Sequence, residues 1–478
     1  MAFDFINIVT VLPEIVLLSM ACVVLLIDLY TDSAEESLSY YLTQFTMVIV
    51  AAVIIIFAPE KTVLVFDGAY VSDNLSFVLK LSLCLLGFVV FVFSKKLLED
   101  LKLDKSEYYA LALFAMLGMM VMISAGNFLT IYLGLELLSL SLYSMIAMQR
   151  DSKRLVEVAM KYFVLGAVAS GMLLYGISMI YGVTKSIQFD VIHEITMITG
   201  QSQLIMIFGL VFIVIGVAFK LGAVPFHMWL PDVYHGSSLP ITLFIGSITK
   251  IAAFALIARV LVDGLEGLHA SWKDMLAILA VLSLILGNII AIAQKNIKRM
   301  FAYSTISHVG FIMLGLIAGN QLGYSASMFY TLVYALMATA GFGVLLMLSK
   351  NGIEAENIAD LSGLSDRSPL LAVVMLVVMF SMAGVPPTVG FYAKLSVINA
   401  IVSSDMIWLA LVAVFMSVVG AFYYLRIIKV MYFEKQDIIE SVDNSFNERL
   451  FIGVNGLTIL LLGLYPTTLM MLCSASFK

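Results

Sequence analysis

The chain has 478 residues, 62% of them hydrophobic and only 12% charged, with a mean hydropathy of +1.06. So few polar residues cannot coat a water-soluble globule of this size, and a net charge of −6 excludes the basic face that a nucleic-acid partner requires. The composition is that of an all-α polytopic membrane protein in contact with lipid.

Apolar runs of roughly 18 to 25 residues cross a hydrocarbon layer about 30 Å thick, and read in chain order they predict fourteen spans. Residues 1–13 lack the basic region of a cleaved signal, so the first span, over 11–29, is expected to stay in the mature protein. With spans over 41–57 and 75–93 it forms an N-terminal three-helix extension, residues 1–107. A first five-helix set fills 108–262, with spans over 108–123, 127–148, 158–181, 203–230 and 241–262. A second fills 274–433, with spans over 274–293, 301–318, 325–349, 370–401 and 407–432. The last span, over 450–472, occupies the C-terminal stretch 449–478.

The fourth helix of each five-helix set carries a helix breaker. One reads Gly222-Ala223-Val224-Pro225-Phe226 and the other Ala383-Gly384-Val385-Pro386-Pro387. Proline removes an intrahelical hydrogen bond and clashes with the turn before it, so both helices are predicted to be interrupted. A set with an odd number of spans inserts the second time with opposite topology. The expected fold is therefore two inverted five-helix repeats, each with a broken helix at mid-depth.

Lysine and arginine accumulate in cytoplasmic loops. Alternate loops here hold Lys95, Lys96, Lys102, Lys105, Arg150, Lys153, Arg154, Lys295, Lys298, Arg299, Lys350, Arg367, Lys435 and Arg449 on one side, against Lys61, Lys185, Lys273 and Lys478 on the other. The asymmetry places both termini on the non-cytoplasmic side.

Four charges stand inside spans: Glu136, Lys220, Lys250 and Lys394. Each costs about 2.5–3.5 kcal/mol at the centre of a spanning helix, so a use is expected for them. At about 1.5 Å per residue, Lys250 lies roughly 15 Å past Pro240, Lys394 about 12 Å past Pro386, Glu136 about 14 Å past Asn127 and Lys220 about 16 Å before Pro231. All four fall near one depth. An ion pair that only ties helices together accounts for Glu136 and one lysine, and one carboxylate cannot neutralise three ammonium groups. Burial brings lysines into the range where they exchange protons, so the four are predicted to form a proton path parallel to the membrane.

His227, at the first helix break, is a candidate for the proton uptake step, since imidazole titrates near neutral pH. His308, among the hydroxyls of Ser304-Thr305-Ile306-Ser307, reads either as a hydrogen-bonded packing residue or as a relay member. Lys161 opens the sixth span and reads either as a snorkelling cation or as a functional one. Lys80 and Arg259 are expected to snorkel, and Glu14, Asp28, Glu157 and Asp263 to be solvated charges at span ends. Cys22, Cys84 and Cys473 show no paired or metal-ligating spacing, so no metal, disulfide or redox centre is expected in the chain. No nucleotide-binding motif is present, so energy is expected from a partner or an ion gradient.

Three strings carry a family resemblance: Met160-Lys161-Tyr162-Phe163-Val164-Leu165-Gly166, Phe219-Lys220-Leu221-Gly222-Ala223-Val224-Pro225-Phe226-His227, and Phe380-Ser381-Met382-Ala383-Gly384-Val385-Pro386-Pro387-Thr388 running on to Phe391-Tyr392-Ala393-Lys394. They resemble the antiporter-like membrane subunits of respiratory complex I, the proton-pumping NADH:quinone oxidoreductase, over nearly the whole chain. Lys394 is the specific part, since a sister subunit carries glutamate there. The resemblance implies that Glu136 and Lys220 form a switchable ion pair, that Lys250 is the central relay and Lys394 the terminal group, and that Lys295 and His308 lie near the family's polar axis. It also implies a translocase of the bacterial inner membrane whose NADH, FMN, iron–sulfur and quinone sites belong to partner subunits. Subunits M and K would be the neighbours. A secondary cation/proton antiporter and a structural membrane scaffold are the alternatives.

Overall fold

The computed structural model describes residues 5–27, 38–149, 151–199, 204–349, 351–434 and 445–477; Asp28, Arg150, Lys350, Lys435 and Lys478 lie outside the described residues. A short α1 (Phe5–Thr10) leads into α2 (Leu12–Ile27), α3 (Leu38–Ile56) and α4 (Asn74–Asp100), with a hairpin of β1 (Val63–Val65) and β2 (Tyr70–Ser72) between the last two. The chain continues through α5 (Ser106–Ile123), α6 (Phe128–Ile146), α7 (Lys153–Thr184), α8 (Phe189–Thr199), α9 (Leu204–Leu221) and α10 (Trp229–Gly236). Next come α11 (Leu239–Gly246), α12 (Thr249–Ile257), α13 (His269–Ala293), α14 (Ile297–Ile317), α15 (Gln321–Leu348) and the short α16 (Leu364–Arg367). Finally α17 (Pro369–Ala383), α18 (Val389–Ser403), α19 (Ile407–Phe433), α20 (Phe446–Leu464) and α21 (Thr467–Ala475) close the chain.

Twelve helical segments among the described residues are long and apolar enough to span a membrane. Adding α2 and the interrupted pair α17–α18 brings the crossings to the fourteen expected. Side-chain oxygens start several of these helices: Asp73, Asn127, Asn296, Asn320 and Ser445 each accept a backbone N–H of the first turn. The segment α11–α12, with α14 and α15, is almost wholly enclosed by protein, whereas α2, α3, α7, α19 and α20 present exposed apolar side chains such as Val168, Trp408, Phe415 and Leu457. Those outward side chains suit lipid. The helices pack closely where small residues meet, as at Gly118 and Gly134, where a Cβ on either would stand 2.7 Å from the other's carbonyl oxygen.

Both proline strings break their helices, and in the same way. After α9, Gly222 takes φ +80° and the N–H groups of Gly222 and Ala223 both return to the carbonyl of Ala218. After α17, Gly384 takes φ +87° and the N–H groups of Gly384 and Val385 both return to Phe380. A left-handed residue is open to glycine at little steric cost, which is why each half-helix stops there. The peptide bonds Val224–Pro225 and Pro386–Pro387 are cis.

A third interruption lies in the eighth span, read as continuous from the sequence. Ser247 leaves the helical conformation at φ −111°, ψ −82°, separating α11 from α12, and a π-helical turn over Ala258–Gly264 ends the segment. A Gly-Ser pair is a recognised site of helix kinking, and Gly246-Ser247 is that signal.

Lys80 and Arg259 do not snorkel, and Glu14 is not solvated. The hairpin lays Tyr70 over the ends of α2 and α4, so that Glu14 (5% exposed) and Lys80 (4%) form a buried ion pair. Tyr70 receives a hydrogen bond from the Lys80 ammonium at 2.7 Å and donates to Glu14 at 2.9 Å. Burial pushes the Tyr70 phenol up to about 12, against the pull of Lys80, which keeps it a donor to the carboxylate. Arg259, on the π-helical turn, is 3% exposed and grips both carboxylate oxygens of Asp73 at 2.8 Å, Asp263 at 2.8 Å and the Ile123 carbonyl at 2.9 Å. Asp263 is therefore a paired charge, while Glu157 is exposed as expected.

Burial alone raises the Asp73 carboxyl, yet the Arg259 guanidinium and the Ser76 N–H hold it below the ordinary carboxylate value. A depressed carboxyl stabilises the fold above the unfolded value near 3.9 and loses that contribution as pH falls through the lower folded value. In thermal unfolding from pH 7 to 3, Asp73→Asn should melt lower than wild type at pH 7, with the gap closing below about pH 4. A gap that stays constant down to pH 3 would contradict this assignment.

Candidate proton path

Lys220 sits in the last turn of α9, immediately before the first break. Its ammonium donates to Ser139 Oγ at 2.7 Å, and Ser139 lies one turn beyond Glu136 on the same face of α6. The Glu136 carboxylate accepts a short hydrogen bond from Ser170 of α7. Carboxylate and ammonium line one small cavity together with Ser139, Tyr143 and Ser170. The direct ion pair implied by the family resemblance is thus not closed here: a hydroxyl on either side holds each charge, within the same cavity.

Lys250 and Lys394 repeat one arrangement at the two breaks. Lys250, three residues past the Gly246-Ser247 kink, donates to the carbonyl of Leu221 at 3.4 Å and stands 5.5 Å from the ring centre of Trp229. Trp229 is itself pinned through its indole N–H to the Phe219 carbonyl at 2.8 Å. Lys394 donates to the carbonyl of Ala383 and to Ser417 Oγ, both at 2.9 Å, and stands 5.1 Å from the ring centre of Phe311. Leu221 and Ala383 are the last residues of α9 and α17, where carbonyls lack helical partners and the helix dipole is negative. Each ammonium is therefore held by a helix end and an aromatic face. None of Lys220, Lys250 and Lys394 has a carboxylate within ion-pair distance among the described residues. Lys250 and Lys394, held by helix-end carbonyls, would leave no stranded carboxylate behind on giving up a proton.

His308 joins the interval between these two lysines. On α14, its Nδ1 meets the Tyr330 hydroxyl at 2.8 Å and its Nε2 the Tyr424 hydroxyl at 3.0 Å. Tyr424 continues to Ser304, and Thr305 bonds Tyr334 at 2.7 Å. Tyr334 donates to the Gly246 carbonyl at 3.3 Å, four residues before Lys250. At the other end Tyr330 stacks on Phe311, the ring that faces Lys394. Asn288, Ser307 and Tyr423 add a buried branch beside it. Tyr330 and Tyr334 are one turn apart on α15, a spacing legible in the sequence that puts two hydroxyls on one face.

The remaining candidates separate. His227 is half-buried between the two halves of the first broken helix, its Nδ1 without a hydrogen-bond partner among the described residues and its ring 6.5 Å from Tyr303. Lys161 is exposed, 2.7 Å from Glu157 and 3.9 Å from Asp232. Lys295 lies exposed in the turn between α13 and α14, beside the bridge of Asn296 to Asn357. The buried cation of that stretch is Lys298, 1% exposed, which donates to Glu354 at 2.7 Å and to the Ser237 carbonyl at 2.8 Å. Glu354 also accepts the Leu239 N–H at the start of α11. Sequence reading placed Lys298 among the loop cations, since nothing local distinguishes it from Arg299.

The family described as NADH:quinone oxidoreductase/Mrp antiporter, TM, matches residues 125–420, the stretch that holds Glu136, Lys220, Lys250 and Lys394. The NADH-quinone oxidoreductase subunit N of Thioalkalivibrio sulfidiphilus is 52% identical over 479 aligned residues covering 100% of both chains. A chain in the solved respiratory complex I of Thermus thermophilus with bound aureothin superposes with a TM-score of 0.83 at 29% identity, over 97% of this chain and 100% of that one. A chain of the Mrp complex of a Dietzia species shares the fold, with a TM-score of 0.86 at 20% identity over 99% and 97% of the two chains. Full-length identity to subunit N, the family match and the shared architecture lead to one conclusion: the chain belongs to the NADH:quinone oxidoreductase/Mrp antiporter family of membrane subunits, among its subunit N members.

Proposed function

We propose that this chain is the proton-translocating membrane subunit of a bacterial NADH:quinone oxidoreductase, moving protons along Glu136, Lys220, Lys250 and Lys394 while quinone is reduced in other subunits. The observation that carries this reading is that no carboxylate lies within ion-pair distance of Lys220, Lys250 or Lys394 among the described residues, while Lys250 and Lys394 are set against freed helix-end carbonyls on either side of the His308 hydroxyl network. A purely structural charge would be paired, as Lys80 and Arg259 are in this same molecule.

In the proposed cycle, a change relayed from the quinone-reducing subunits alters the separation of Glu136 and Lys220 within their shared cavity. An ammonium that loses its anionic neighbour releases a proton more readily. The proton passes to Lys250, then through Tyr334, Thr305 and the hydroxyls around His308 toward Lys394. The flavin, the iron–sulfur clusters and the quinone site are assigned to partner subunits, and subunits M and K are the proposed neighbours. The membrane is the bacterial inner membrane, with both termini on its non-cytoplasmic side.

The inverted-repeat division into 108–262 and 274–433 belongs to the same reading. Support comes from the matched helix breaks and from the close pairing of α5 with α6 and of α13 with α14, the first two helices of each set.

Glu136→Gln keeps the shape and the Ser170 hydrogen bond but removes the charge. In membrane vesicles carrying the assembled complex, NADH-driven proton uptake should fall several-fold with the complex intact. Unchanged pumping at unchanged reductase activity would sink the switch.

A further inference from the structure

Tyr234, in the last turn of α10, is 0% exposed, and its hydroxyl has no hydrogen-bond partner among the described residues. An unpaired buried hydroxyl destabilises the fold, and phenylalanine would keep the same packing without it. The ring already has its packing partner, meeting Phe342 edge-on at 5.8 Å. Packing therefore does not explain the oxygen.

Its surroundings do. The hydroxyl lies 3.3 Å from the point where a Cβ on Gly246 would stand, beside the kink that precedes Lys250. The carbonyl of that same glycine accepts the Tyr334 hydroxyl at 3.3 Å, a long bond, and Tyr334 also bonds Thr305, one turn before His308. Thr242 ties the backbone carbonyl of Tyr234 to α11 at 3.1 Å, holding the ring against this segment. Two buried phenols thus converge on Gly246, and of the two only the Tyr334 hydroxyl bonds its carbonyl.

We propose that Tyr234 is a further relay residue, whose hydroxyl joins the Tyr334–Thr305 pair and carries the path from the first broken helix, beside Lys250, to His308. The inference rests on the reading of the lysine row as a proton path. In each transfer the phenol oxygen accepts a proton on a lone pair and gives its own to the next oxygen, so the same neutral phenol remains afterwards.

The test uses the assembled complex in membrane vesicles, with NADH-driven proton uptake and the solvent deuterium isotope effect on coupled turnover as readouts. Tyr234→Phe should assemble normally, lower proton uptake several-fold and change the isotope effect. Tyr108→Phe is the control, because Tyr108 on α5 is equally buried with an equally unpaired hydroxyl but lies outside the path; it should behave as wild type. Thr305→Val removes the neighbouring hydroxyl and should reproduce the Tyr234→Phe defect. If Tyr234→Phe matches wild type in both readouts while Lys250→Ala is defective, Tyr234 is not in the path and the reading of the row stands. If Lys250→Ala is also normal, the row itself is not the path and the proposal falls with it.

Discussion

Lys394→Ala in the assembled complex should cut NADH-driven proton uptake by about 10²-fold, the low end for loss of a proton-transferring side chain. The site explains why no neighbour substitutes. The ammonium is held by the Ala383 carbonyl, Ser417 and the face of Phe311, none of which can store a proton as a titrating group near neutral pH. Lys394→Arg sharpens the test. Arginine restores a cation against the helix end but stays protonated in proteins, so a structural cation site would be rescued and a relay would not. We expect Lys394→Arg to assemble and to pump as poorly as Lys394→Ala. Near-normal pumping by the arginine variant would make Lys394 a structural cation.

The second large effect concerns stability. Arg259→Ala removes the partner of Asp73 and Asp263 and leaves two carboxylates at the edge of a cavity of about 630 Å³. Breaking a buried pair on one side costs about 3–5 kcal/mol, and because Asp73 and Asp263 keep some exposure the expected loss is near 3 kcal/mol. Arg259→Lys should recover only part of it, since lysine cannot reproduce the two parallel bonds to Asp73. Denaturant titration of the detergent-solubilised complex, following this subunit, measures the difference. A loss below about 0.5 kcal/mol, the size of an ordinary surface change, would show that the clamp contributes nothing.

Much of the architecture was legible because a bilayer constrains the chain so strongly. Apolar length gave the fourteen crossings, and Pro225 and Pro386 marked both interrupted helices, since proline acts through local covalent geometry. What sequence could not give was burial set by tertiary packing. Lys80 and Arg259 stand near span ends and look free to reach water, but the hairpin and the turn at Asp73 close over them. Lys298 and Lys295 are three residues apart, and only the fold decides which one is enclosed. The kink before Lys250 had a weak local signal in Gly246-Ser247, which a continuous apolar run concealed.

The same division runs through the site. Glu136, Lys220, Lys250 and Lys394 stood out one by one, because a charge in an apolar span is conspicuous on its own. Tyr330, Tyr334 and Tyr424 did not, because tyrosines in spans are common and their meaning comes from facing His308 across three helices. The Glu136–Lys220 contact illustrates the limit of a family pattern: it names the two partners, and the geometry inserts Ser139 and Ser170 as their immediate ligands.

The most direct measurement is the number of protons moved per NADH oxidised by reconstituted complex in which Lys220, Lys250 and Lys394 are all replaced by alanine, with flavin content confirming assembly. A path through this subunit predicts a ratio clearly below that of wild type. A wild-type ratio in the intact triple variant would mean that no proton crosses by way of these lysines.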